Sequence, residues 1–141
     1  MIRLLPTLLL SSVAAPLSAE PATTPRAVVE ATLAAINRHD AAALASYYAE
    51  DAVIIASDSC APSKGPEAVR VGHEALIKAI PDLSVEATDW VVEGEHVAIL
   101  FTAHGKALGP TGTMTLADFF TVKNGKIVRD VTIFNPGQPC R

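Results

Sequence analysis

Two periodicities divide the chain. From Pro25 to Ile80 apolar residues recur every three to four positions, the spacing of a helix face; beyond Pro81 they alternate, the spacing of a strand. The first region predicts three helices. Thr24 caps the first, Pro25 occupies its first position, and Val29, Leu33 and Ile36 line one face over roughly 25–38. Asp40 caps a second over 41–49, with Leu44 and Tyr48 on one side. Val53, Ile54 and Ile55 read as a short strand, and 58–65, rich in Pro, Ser, Lys and Gly, as a loop. Pro66 opens a third helix that runs to about Ile80 on an apolar face of Val69, Leu76, Ile77 and Ile80. The second region predicts strands over 83–92, 97–105, 115–123 and 126–135. The last two are joined at Asn124-Gly125, which suits a tight hairpin because both positions need positive φ. Helices gathered ahead of a strand meander place the chain in the α+β class. The expected architecture is a cone-shaped α+β barrel, three N-terminal helices packed on a curved antiparallel sheet around a pocket.

The first nineteen residues follow neither period. Arg3 is the only charge before Glu20, an interrupted apolar stretch runs from Leu4 to Leu17, and Leu17-Ser18-Ala19 offers small residues for cleavage. This is the layout of a secretory signal peptide, and the stretch is too short and too broken to span a bilayer. The expected organisation is a signal over 1–19, a linker over 20–24 and one domain over 25–141, secreted or periplasmic. The formal charge is −4, and loss of Arg3 makes the mature chain more acidic. With no basic run, nucleic acid is excluded as an expected partner, and no further segment is apolar enough to hold the mature chain in a membrane. The two cysteines, Cys60 and Cys140, are most simply a disulfide in an oxidising compartment, with two unpaired thiols as the alternative. On the chain-entropy account, closing so long a loop stabilises by about 4 kcal/mol. No Cys-x-x-Cys, paired histidines, dinucleotide fingerprint, phosphate loop or nucleophile elbow is present, so no metal and no cofactor are expected.

Three segments carry a family resemblance. Ala34-Ala35-Ile36-Asn37-Arg38-His39-Asp40 with Tyr48-Ala49-Glu50-Asp51-Ala52-Val53, then Ile80-Pro81-Asp82-Leu83-Ser84-Val85-Glu86, then Asp118-Phe119-Phe120-Thr121-Val122-Lys123-Asn124-Gly125-Lys126-Ile127, resemble the nuclear transport factor 2-like fold, and within it the SnoaL-like polyketide cyclases and ketosteroid isomerases. The resemblance implies that Asp118 faces the pocket, as general base in the cyclases or as a protonated hydrogen-bond donor in the isomerases. The chain departs from the isomerases at Ala56, where their base aspartate falls, and at Thr32, where their helix-one tyrosine falls; Thr132 stands where epoxide hydrolases of this fold carry an acid.

The candidate catalytic residues are Asp118, His104 and Asp130. Asp118 lies inside the apolar run Leu116-Ala117-Asp118-Phe119-Phe120, where desolvation raises a carboxyl into the range useful for proton transfer. Asp130 is its possible partner: a two-residue turn sets Asp118 opposite Val131, a bulged turn opposite Asp130, and the family's register favours the second. His104 ends its strand beside Leu100 and Thr102 and is a possible proton relay. His73, between Val69 and Ile77, reads as a core or interface histidine. Trp90, Phe101, Phe120 and Phe134 are candidate ligand-binding residues for an apolar ring. The reading is an exported domain that holds a small apolar molecule and, if an enzyme, abstracts a proton next to a carbonyl in a cyclase- or isomerase-like or hydratase-like reaction. Its rivals are a non-catalytic binding module and a structural domain. Ile127, Val131 and Ile133 alternate on a strand apolar on both faces, and this points to a homodimer through the sheet.

Overall fold

A computed structural model describes residues 24–135; the expected leader, most of the linker and Cys140 lie outside the described residues. In chain order the elements are α1 (Pro25–Asn37), α2 (Ala41–Ser46), β1 (Tyr48–Ala56), β2 (Ser63–Lys64), α3 (Gly65–Ala79), β3 (Ser84–Glu93), β4 (His96–His104), β5 (Thr113–Lys123) and β6 (Lys126–Ile133). The expected caps are in place. The Thr24 hydroxyl accepts from the Ala27 N–H at 3.2 Å, and the Asp40 carboxylate accepts from the Ala43 N–H at 2.9 Å. Each satisfies one of the donors that a helix start leaves open. Asn37 then ties α1 to the sheet, donating to the Val85 carbonyl at 2.9 Å and accepting from the Val85 N–H at 2.7 Å.

The second helix stops at Ser46, short of the expected 49, and the strand that follows begins at Tyr48 instead of Val53. The backbone explains the exchange: the Ile127 N–H donates to the Tyr47 carbonyl at 2.8 Å, so pairing with β6 captures the chain where helical pattern alone would carry it on. β1 thereby pairs with β6 from Tyr48 to Ala56 in a six-stranded sheet of order β2-β1-β6-β5-β4-β3. Every neighbouring pair is antiparallel except β1 and β6, which run parallel, so the sheet is open and mixed. β2 pairs two residues, Ser63 and Lys64, inside the segment expected to be loop.

The hairpin between β5 and β6 starts in the tight register, Lys123 opposite Lys126 and Val122 opposite Ile127, and then shifts: Thr121 faces Arg129. Val128 is therefore the extra residue of a β-bulge, and side chains beyond it change face. Ile127 points inward and is fully buried, whereas Ile133, further along the same strand, is 51% exposed on the outside. The inner face of the sheet and the helices share one core, built on Val28, Val29, Leu33, Tyr48, Val97, Ile99, Phe101, Phe120, Val122 and Ile127.

Candidate active site

Register places the two acids. Across the inner face, Ile99, Asp118 and Thr132 form one row on β4, β5 and β6; Val97, Phe120 and Asp130 form the next. Asp118 is thus opposite Thr132, and neither Val131 nor Asp130 as expected, because the Val128 bulge adds one residue to the register that the tight turn begins. Asp130 is the diagonal neighbour of Asp118 on the same face, a separation that side chains bridge. Without the bulge, Asp130 would face outward and Arg129 inward.

Both carboxyls are buried, at 8% and 6% exposure. The Tyr48 hydroxyl, delivered by the first residue of β1, donates to Asp130 Oδ2 at 2.6 Å. Burial pushes the Asp118 carboxyl well above the ordinary aspartate range; the neighbouring Asp130 charge adds to this and the Thr132 hydroxyl opposes it. Burial also raises Asp130, to about 6, with the Tyr48 hydrogen bond holding it back. Tyr48 itself is driven up, by burial first and by Asp130 second. The two acids titrate as a pair.

These groups line a cavity of about 420 Å³ between helices and sheet, whose walls include Leu33, Ile36, Leu44, Leu83, Phe101 and Met114. Among the described residues, three buried side-chain atoms lack a hydrogen-bond partner: Asp118 Oδ1, Asp130 Oδ1 and His73 Nε2. All three residues line this cavity. No group of three or more metal-ligating side chains occurs among the described residues.

Of the aromatic residues, Phe101, Phe120 and Phe134 line the cavity. Trp90 does not: on β3 it sits under α1, where the Arg26 guanidinium lies 4.5 Å from its ring centre. His104 is also excluded. Strand alternation sends Phe101 and Ala103 inward to the cavity and His104 outward, beside Thr113 and Ser84 at the sheet's end. Two further site residues are not evident from the sequence. Helical spacing puts Tyr48 on a helix, and its partner lies 82 positions away, so only the strand register reveals it. His73 reads as core packing; its position on the apolar face of α3 is the one signal the sequence holds, and its cavity contact comes from the fold.

A helical layer over a curved mixed sheet, with acids on the inner strands, defines the class of cone-shaped α+β domains. Residues 29–130 match the SnoaL-like domain, and the chain belongs to that family. Among solved structures it is similar to a protein from Sinorhizobium meliloti assigned to the polyketide cyclases, at 27% identity over 75% of this chain and 93% of that one, TM-score 0.66. A second such protein, from Streptomyces antibioticus, shares 26% identity over 77% and 90%, TM-score 0.67. A third, from Catenulispora acidiphila, has a ketosteroid isomerase-like fold and was solved with trimethylamine; at 23% identity over 76% and 84%, TM-score 0.66, it speaks to fold alone. No curated protein matches the chain.

Proposed function

We propose that this domain takes a small, largely apolar carbonyl compound into its cavity and moves a proton on the carbon next to the carbonyl, as a cyclase- or isomerase-like reaction requires. The observation that carries the reading is the pair of buried acids, each with an unpartnered oxygen, on one wall of an apolar cavity. Two neighbouring carboxylates do not both ionise in a desolvated site, so the pair holds one proton. The Tyr48 hydroxyl donates to Asp130 Oδ2 at 2.6 Å and stabilises its anion, so Asp130 holds the charge and Asp118 the proton. This distribution exchanges the role expected for Asp118. Asp130 takes the α-proton, its new O–H bond replacing the broken C–H bond, while the protonated Asp118 carboxyl donates to the substrate carbonyl as charge develops there. A base held near 6 is matched to a weak carbon acid at neutral pH.

Deuterium wash-in tests this without knowledge of the natural substrate. β-Tetralone in deuterated buffer is followed by NMR at its α-carbons. The wild-type protein is expected to exceed both Asp130→Asn and Asp118→Asn by at least about 100-fold, the usual worth of one acid–base group. Equal rates for wild type and the Asp130→Asn, Asp118→Asn double variant would leave a non-catalytic binding module as the reading.

A further inference from the structure

We infer that His73 is a second hydrogen-bonding pole of the cavity, so that the site selects an uncharged ligand carrying two separated polar groups, one for the acid pair and one for His73. The inference rests on the ligand-binding reading above and narrows its substrate class. Two of the three unpartnered buried atoms in the cavity wall belong to the acid pair; the third is His73 Nε2, on another element. This imidazole is 6% exposed, and the helix residues that line the cavity with it, Leu76, Ile80, Leu33 and Ile36, are apolar. A buried polar atom without a partner destabilises by about 1–3 kcal/mol, so an apolar side chain would serve packing better. The arrangement makes sense when a ligand supplies the missing partner.

The two poles stand on different walls. His73 comes from a helix, the acids from adjacent strands of the sheet. A single polar group has one wall to choose; a molecule with a group at each end satisfies both and lays its apolar body along Phe101, Leu116 and Phe120. Burial and the nearby His39 both lower the His73 pKa and so favour the neutral ring, whose Nε2 offers one N–H donor or one lone pair. No Lys or Arg lines the cavity among the described residues, while Asp58, Asp118 and Asp130 do. A carboxylate or phosphate on the ligand would have no countercharge there, which leaves hydroxyl and carbonyl groups as the fitting polar ends.

Binding of fluorescent naphthols separates this inference from the catalytic one, because a naphthol hydroxyl stands in for an enol and no turnover is needed. The probes are 2-naphthol, naphthalene diols with one hydroxyl on each ring, and 2-naphthoic acid. The wild-type protein is expected to bind the best diol about fivefold or more tightly than 2-naphthol, the share of one hydrogen bond, and to bind the acid more weakly than either. His73→Leu keeps the apolar volume and removes the partner; it should bring the ratio of diol to 2-naphthol affinity to about one. His73→Gln retains a polar end and should keep part of the preference. A wild-type protein that binds diol and 2-naphthol alike, or a preference that survives His73→Leu, overturns the inference while the acid-pair reading stands on the wash-in result. Loss of cooperative melting in both variants would make His73 a packing residue and also overturn it. Absence of saturable binding by any probe overturns the cavity reading and this one together.

Discussion

Burial holds the Asp118 carboxyl well above the ordinary aspartate range and Asp130 at about 6, and both shifts have the same sign. An unfolded aspartate titrates near 4. From about pH 4 up to the raised values the folded chain therefore binds more protons than the unfolded one, and stability falls as pH rises through that window. Asp118→Asn keeps the shape of the side chain and removes its share of the slope. The variant is expected to be more stable than wild type at pH 7 by more than about 1.4 kcal/mol, the free energy of a tenfold change in proton affinity, with the gain shrinking toward zero near pH 4. Urea unfolding at the two pH values measures it. A gain of equal size at both, or a loss at pH 7, would show that Asp118 is not held protonated by the fold.

At the scale of elements, the two periodicities locate most of the fold. α1, α3 and β3 to β5 lie close to their expected places because each has an uninterrupted pattern and a clear stop, such as Pro81 or Asn124-Gly125. The pattern fails where a distant partner decides. Leu44 and Tyr48 fit one helical face, but pairing of β1 with β6 makes Tyr48 a strand residue. The bulge at Val128 is equally hidden: Ile127, Val131 and Ile133 alternate perfectly in sequence, and nothing in that alternation says that one of them faces the core and another solvent. Asp118 is legible as a buried acid because its neighbours in sequence are apolar; Asp130, between Arg129 and Val131, is legible only through the register.

The junction of β2 with α3 gives an element-scale test. Gly65 has φ +75°, and a Cβ there would come within 2.8 Å of the Glu50 carbonyl oxygen on β1. Gly65→Ala is expected to destabilise by at least about 1–2 kcal/mol, the penalty of the left-handed region before the clash is added. Gly72, in the middle of the same helix, would meet nothing within 4 Å, so Gly72→Ala should stabilise by about 0.5–1 kcal/mol. Chemical denaturation of the two variants in parallel checks both signs. Equal effects would mean that the constraint at Gly65 is absent in solution.

For the molecule as a whole, the outer face of the sheet is the surface that needs an explanation. Val91, Ala98, Phe119, Val131 and Ile55 stand directly across from one another on β3, β4, β5, β6 and β1. Phe119 and Val91 are 47% and 66% exposed. An apolar row that crosses five strands is a self-complementary patch, and we propose that it pairs two copies. Light scattering at micromolar concentration should give a dimeric mass, and Phe119→Lys should give a monomer with an unchanged melting profile; a monomeric wild type ends the proposal. Export and a Cys60–Cys140 bridge are proposals of the same scale. Intact mass of the protein recovered from outside the cytoplasm should match a chain that starts at Glu20 and lacks two hydrogens, and two alkylatable thiols without reductant would exclude the bridge.

The parallel pairing of β1 with β6 also governs when the domain comes into being. Contacts that join distant parts of a chain form slowly, since loop-closure entropy must be overcome before they reward it. Here the first long strand waits for the last, and the Tyr48–Asp130 bond spans 82 positions. Helices α2 and α3 and the β3–β4–β5 meander rest mainly on neighbours nearby in sequence, and α1 packs across that meander, but β6 lies between β1 and β5 and is the link that makes one sheet of them. A chain halted before β6 therefore has α1 on the meander but β1 and β5 unjoined, two open strand edges and no acid pair. Synthesis and any passage across a membrane run their course on a polymer whose sheet is still open, and the closed sheet and the acid pair appear together when its last strand slots in.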